Sequence, residues 1–155
     1  VLLCDEPTTA LDVTIQQRIL RLLHRISEEH EMSLIYVTHD LAVVNEVCDD
    51  VAIIYAGQIV ESGKAEEVFA SPAHPYTRML VASLPSLQRK GVFRGIPGLT
   101  PSLLDPPPGC PFHPRCPDKM DLCTSQLPRL EVVEAGASKA SERRAACHLH
   151  KGAHS

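Results

Sequence analysis

The stretch Val1-Leu2-Leu3-Cys4-Asp5-Glu6-Pro7-Thr8-Thr9-Ala10-Leu11-Asp12 decides the fold. Its opening apolar run reads as the end of a parallel strand covered on both faces. Two adjacent carboxylates, Asp5 and Glu6, then stand at the strand's C-terminal edge. Open parallel sheets bind their ligands at that edge. There one carboxylate can hold Mg2+ through water, and the other can orient and polarise a water that attacks a terminal phosphoryl group. Taken alone, two acids before a turn are solvated acids and nothing more. Their surroundings decide between the two readings.

Downstream, Asp12 can cap a helix predicted over 13–30, whose Ile15, Ile19, Leu22, Leu23 and Ile26 recur at helical spacing as one buried stripe. Residues 34–38 read as a second buried strand ending in Thr38-His39-Asp40, and Asp40 can cap a short helix through Val47. Strands over 51–55 and 58–61 flank an Ala56-Gly57 turn. Short helices are predicted over 65–69 and 76–84, the second opened by Pro75 and stopped by Pro85. Alternation of β-branched runs with helical patterns is the mark of an α/β layer. Composition shifts near residue 71, because Pro7 alone of the 13 prolines precedes that point. Beyond residue 84 the prolines preclude long regular elements.

Net charge is −4 and no basic face is evident, which argues against a nucleic-acid partner. No apolar run approaches the roughly 20 residues of a membrane helix. The first residue is Val1, in mid-strand, so the chain is expected to be the end of a longer protein. Of the six cysteines, Cys4 and Cys48 read as small buried hydrophobes. The others form a C-x5-C-x6-C-x23-C array, Cys110, Cys116, Cys123 and Cys147, in the Pro-rich third. Nothing suggests export, so a metal or cluster site is the better default than disulfides. Four thiolates suit tetrahedral Zn2+ or the corners of a [4Fe–4S] cluster, and the spacing alone leaves the metal open.

The order of these features resembles the ABC ATPase family. Asp5 matches the Walker B aspartate, Glu6 the catalytic glutamate, Ala10-Leu11-Asp12 the D-loop and His39 the switch histidine. The resemblance implies that Asp5 serves Mg-ATP, that His39 contacts the γ-phosphate and helps hold the attacking water, and that Asp12 lies at a dimer seam. The family's Gly-rich phosphate loop, its Gln-containing loop and its Leu-Ser-Gly-Gly-Gln signature are absent. Without that loop the phosphates lack backbone donors and a counter-charge, so these 155 residues alone are expected neither to bind ATP tightly nor to hydrolyse it.

Within that family the chain looks like the oligopeptide/dipeptide importers. The residues that carry this are the run from Asp5 to Thr14 with Thr9 where many relatives have Ser, the Tyr55-to-Gly63 segment, and Ser71-Pro72-Ala73-His74-Pro75-Tyr76-Thr77. Ile96-Pro97-Gly98, Pro101-Ser102-Leu103 and the cysteine array continue it, and Asp50 departs from it where relatives often carry Arg. His74 is assigned no catalytic role. The implied fold is the C-terminal half of a P-loop core over 1–71, with parallel strands and helices. A small irregular Cys/Pro-rich extension over 72–150 and a tail over 151–155 follow it. The four cysteines are implied to hold a [4Fe–4S] cluster, with Zn2+ as the alternative and His113 or His148 as substitute ligands.

The implied protein is the ATP-hydrolysing subunit of a bacterial peptide importer, peripheral on the cytoplasmic face of the plasma membrane. Its implied partners are a second ATPase subunit, identical or related, membrane permeases and, indirectly, an extracytoplasmic binding protein. Two other classes compete: a non-catalytic metal- or cluster-binding module left by truncation, and an ABC-type ATPase of DNA repair or translation. The His-Pro-Tyr-Thr helix and the cysteine array argue against the last.

Overall fold

Strand β1 (Leu2–Asp5) lies parallel to β2 (Leu34–Val37), with Asp5 opposite Val37 at the shared C-terminal edge. Between them runs α1 (Val13–Glu29), and α2 (Leu41–Val47) follows β2. Both helices begin as their local chemistry dictates. The Asp12 carboxylate accepts the Ile15 amide at 2.9 Å, and the Asp40 carboxylate accepts those of Ala42 and Val43 at 3.0 and 3.4 Å. Each carboxylate satisfies amide donors that the first helical turn leaves free.

In the computed structural model, which describes residues 1–84, 95–133 and 142–150, these elements form one compact unit, Val1–Cys48; a second begins at Asp49. Pro85 and the tail over 151–155 lie outside the described residues. Two expectations for the first unit are corrected. The strands were expected to be apolar and covered on both faces, yet Leu3, Ile35 and Val37 are exposed while Cys4 is buried. Side chains alternate along a strand, and this two-stranded sheet covers one face only. In α1 Leu20 is buried, and Ile19, Leu23 and Ile26 of the expected stripe are half-buried, whereas Ile15 and Leu22 are exposed.

The second unit is built on a hairpin. Strands β3 (Asp50–Tyr55) and β4 (Gln58–Lys64) turn at Ala56 and Gly57, both left-handed at φ 47° and 75°. Two consecutive positive φ values define the tight turn that matches strand twist. Pairing slips between Ile53 and Ile54, whose partners are Glu61 and Ile59, so Val60 is the extra residue of a bulge. A bulge breaks the alternation of faces, and Val60 and Glu61 are in consequence both buried. Helices α3 (Ala65–Ala70) and α4 (Pro75–Ala82) follow, with Pro75 at the first turn of α4 as its fixed φ suits.

The chain then runs through single 3-10 turns and returns as β5 (Glu131–Val132) and β6 (Arg144–Ala145), giving an antiparallel sheet of order β3-β4-β6-β5. The architecture is therefore mixed α/β, with a parallel and an antiparallel sheet.

An aromatic cluster joins these parts. The Tyr55 ring lies 4.6 Å from that of Tyr76 and 5.2 Å from Phe112, edge-on, and Phe112 is fully buried. Edge-on pairs at this distance add to the area they bury. Arg115 binds the adjoining loop, donating to the carbonyls of Ile96 and Pro97 and to the hydroxyls of Thr100 and Tyr55. Gly109, at φ 73°, lets the backbone of the first cysteine loop meet the second: a Cβ there would press into the Cys123 carbonyl.

Candidate functional site

Glu6 continues the edge of β1, its amide donating to the Val37 carbonyl at 2.8 Å. The chain then turns sharply, with Glu6 itself left-handed at φ 44° and the Thr9 amide returning to the Glu6 carbonyl at 3.1 Å. A positive φ in a residue with a long side chain is uncommon and gathers at functional sites. His39 arrives from the end of β2, and its Nδ1 lies 2.9 Å from Oε1 of Glu6. A carboxylate only accepts, so Nδ1 carries the proton and Nε2 faces away from this bond. The Thr9 hydroxyl donates to the other oxygen, Oε2, at 2.8 Å. The hydrogen bond from His39, and after it that from Thr9, holds the Glu6 carboxyl below its ordinary range. All three side chains are solvent-exposed.

The structure thus brings Glu6 and His39 into contact, although 33 residues separate them in sequence. Asp5 ends β1 beside Glu6 and is exposed. Asp12 is also exposed, and its carboxylate caps α1. Sequence reasoning passed over Thr9 as a partner of Glu6. The available signal was a hydroxyl three residues after the glutamate across a Pro-containing turn.

In the second unit, Cys110, Cys116, Cys123 and Cys147 line one cavity together with His74, Phe112, His113 and His148. The Cys110 amide donates to the Cys123 carbonyl at 2.9 Å, tying the two loops. Burial pushes the thiols of Cys110 and Cys116 up, and that of Cys147 up to about 11. Backbone N–H groups oppose that shift: those of Phe112 and His113 face Cys110, that of Asp118 faces Cys116 and that of Leu149 faces Cys147. Such donors favour the thiolate, the form that binds metal. Among the described residues, however, no three or more His, Cys, Asp or Glu side chains stand together as a ready metal-ion site.

The two histidines offered as substitute ligands are held by carbonyls. Nδ1 of His113 donates to the Cys110 carbonyl at 2.9 Å, and Nε2 of His148 to the Gln126 carbonyl at 2.8 Å. Nδ1 of His148 is then a buried lone pair with no partner among the described residues. His74, buried at the cavity wall, accepts the Tyr76 amide on Nδ1 at 3.0 Å and caps α4, in keeping with a helix-starting role. Burial lowers its pKa to about 4, so it is neutral at pH 7.

Sequence reading also missed the polar centre of this unit. The Glu61 carboxylate is fully buried and accepts the amides of Ala73 and His74 at 2.9 and 2.8 Å. Arg143, equally buried, donates to it through Nε at 3.1 Å and a terminal nitrogen at 2.6 Å, and also to the Ser71 carbonyl.

Known proteins resemble this chain in sequence. The family described as "Oligopeptide/dipeptide transporter, C-terminal region" matches residues 60–123. Among similar proteins, the oligopeptide transport ATP-binding protein OppD of Salmonella typhimurium is 46% identical over 141 residues, 90% of this chain and 42% of that protein. The dipeptide transport ATP-binding protein DppD of Bacillus subtilis is 48% identical over 129 residues, 83% of this chain and 38% of that protein. DppD of Escherichia coli is 42% identical over 149 residues, 96% of this chain and 44% of that protein. The geometry seen here is a strand-edge acid pair, one member of which is contacted by a distant histidine. These similarities support an oligopeptide/dipeptide ABC ATPase assignment for the chain. It spans less than half the length of the relatives it matches.

Proposed function

We propose that this chain contributes the water-activating side of an ATP site to a peptide importer. The observation that supports it most is the 2.9 Å contact between His39 Nδ1 and Glu6 Oε1. In this reading Asp5 holds the Mg2+ of Mg-ATP, Glu6 orients and polarises the attacking water, and His39 turns its Nε2 toward the γ-phosphate. Neither of the last two is sufficient alone, because the water must be both aimed and deprotonated while charge grows on the phosphoryl oxygens. Asp12 lies at the seam with a second ATPase subunit, and membrane permeases convert closure of the pair into transport. Residues 1–71 belong to the ATPase core and 72–150 to its irregular extension. No described helix is long and apolar enough to cross a membrane; in this reading the permeases hold the subunit at their cytoplasmic face.

The test uses the complete protein, assembled with its permeases in vesicles. ATP-dependent uptake of labelled di- and oligopeptides is expected, with His39→Ala reducing uptake and hydrolysis together by about 10- to 100-fold. Hydrolysis without peptide uptake would place the protein outside peptide transport. Parental hydrolysis in His39→Ala would remove the histidine from the site.

The four cysteines are the second element of the proposal. Their common cavity and the N–H groups facing three of their sulfurs are what speak for a bound cofactor, since four thiols lining one cavity are the donor type that iron or zinc takes. When bound, a [4Fe–4S] cluster would cross-link the loops that carry the four cysteines. Cys110 and Cys123 would hold it from the paired loops, Cys116 and Cys147 from the flanking turns. Protein purified without air is expected to be brown, with about four irons per chain. Colourless protein with one zinc per chain would establish the alternative metal, for which His148 Nδ1 is the available nitrogen donor.

A further inference from the structure

We infer that Thr9 is a positioning residue for Glu6, its hydroxyl keeping the carboxylate aimed while His39 engages the nucleotide. The inference rests on the ATPase reading above. Thr9 and Glu6 close one turn: the Thr9 amide donates to the Glu6 carbonyl at 3.1 Å and the Thr9 hydroxyl to Glu6 Oε2 at 2.8 Å. Pro7, inside that turn, fixes its own φ and removes much of the freedom to open it. His39 comes from another strand end and takes the opposite oxygen, Oε1.

The terminal torsion of a glutamate side chain is broad and two-fold, so an exposed carboxylate with no packing around it rotates readily. The Glu6 side chain is 43% exposed, and hydrogen bonds rather than packing must orient it. A carboxylate has about four acceptor sites, so two donors leave room for a water on either oxygen. The two donors are not equivalent. His39 arrives from a separate strand end and also serves the nucleotide in this reading, whereas Thr9 is built into the same turn as the glutamate and serves its carboxylate alone. The lowered pKa of Glu6, to which Thr9 contributes after His39, agrees with a hydroxyl donating to the ionised form.

The experiment is steady-state ATP hydrolysis by the complete protein with its permeases, comparing Thr9→Val, Thr9→Ser and Glu6→Gln. Thr9→Val keeps the shape and removes the hydroxyl, and kcat is expected to fall about 10- to 100-fold. KM for ATP should stay within about twofold, since Thr9 acts on the aimed base rather than on the nucleotide. Thr9→Ser, which restores a hydroxyl, is expected to recover kcat to within about threefold of the parent. Should Thr9→Val fail to accumulate, Thr9→Ala carries the same test. Parental kcat in Thr9→Val, with Glu6→Gln inactive, would overturn the inference, as would equal losses in Val and Ser. Parental kcat in Glu6→Gln would instead overturn the assignment of Glu6 as the water-activating base on which the inference rests.

Discussion

Glu6→Gln in the complete protein is expected to lower ATP turnover by about 10²- to 10⁴-fold while leaving ATP binding intact. Gln matches Glu in size, so the turn through Pro7 and its amide bond to the Glu6 carbonyl need not move. What changes is charge and acceptor count. Two donors converge on the carboxylate, His39 Nδ1 on one oxygen and the Thr9 hydroxyl on the other. An amide can offer its oxygen to His39 and its NH2 group to the Thr9 hydroxyl, which then accepts instead of donating, so the contacts are kept while the charge is removed. Nothing then draws a proton from the attacking water.

Phosphate release under saturating ATP, set beside nucleotide affinity from equilibrium binding, separates the two effects. Turnover near the parental level would assign water activation to another group. The low pKa adds a pH expectation. A base held below the usual carboxylate range is ionised throughout pH 6–8, so any inflection of turnover there belongs to a different group.

Arg143→Met is expected to destabilise the second unit by about 3–5 kcal/mol, because it strands a fully buried carboxylate. Glu61 and Arg143 are almost wholly excluded from solvent. The guanidinium supplies a planar pair of donors to Oε1 and a further bond to the Ser71 carbonyl, a geometry that a lysine ammonium cannot reproduce. The amides of Ala73 and His74 remain on Glu61 in the mutant, but they do not balance its charge.

Glu61→Gln combined with Arg143→Met should recover part of the loss, since the pair costs much to break and little to replace. Urea unfolding monitored by far-ultraviolet circular dichroism measures both effects. A loss below about 1 kcal/mol for Arg143→Met, the size of an exposed ion pair, would mean that the site is hydrated in solution.

What was legible in the sequence was local chemistry. Asp12 and Asp40 before apolar periodic runs announced helix starts, Ala56-Gly57 a hairpin, and Pro75 a first turn; the structure has each of them. The convergence of Glu6 with His39 was readable from strand order, because both lie at C-terminal ends of parallel neighbours. Long-range polar pairing was not. Glu61 is turned inward by the slip at Ile53/Ile54, which no residue type announces, and its partner lies 82 residues on. Periodicity placed Ile19, Leu23 and Ile26 of α1 inward, but it passed over the buried Leu20 and counted the exposed Ile15 and Leu22. An apolar count treats every aliphatic residue as equally inward, but the angular position of the packing partner is a tertiary fact. Thr9 was read as a subfamily marker, since side-chain partnership across a turn depends on a left-handed Glu6 that no residue type signals.

The placement of β4 between β3 and β6 has a consequence for how the chain is made. One flank of β4 pairs at once with its hairpin neighbour, but the other is met by Arg144 and Ala145, which leave the ribosome much later. At translation rates of about 5–20 residues per second, the 82 residues between Glu61 and Arg143 take about 4–16 s to synthesise. Throughout that interval a strand edge and an acidic side chain destined for the interior both await their partners. Such an open edge invites pairing with other nascent chains, so slower elongation over this stretch should tax the yield of folded protein more than slowing anywhere before it.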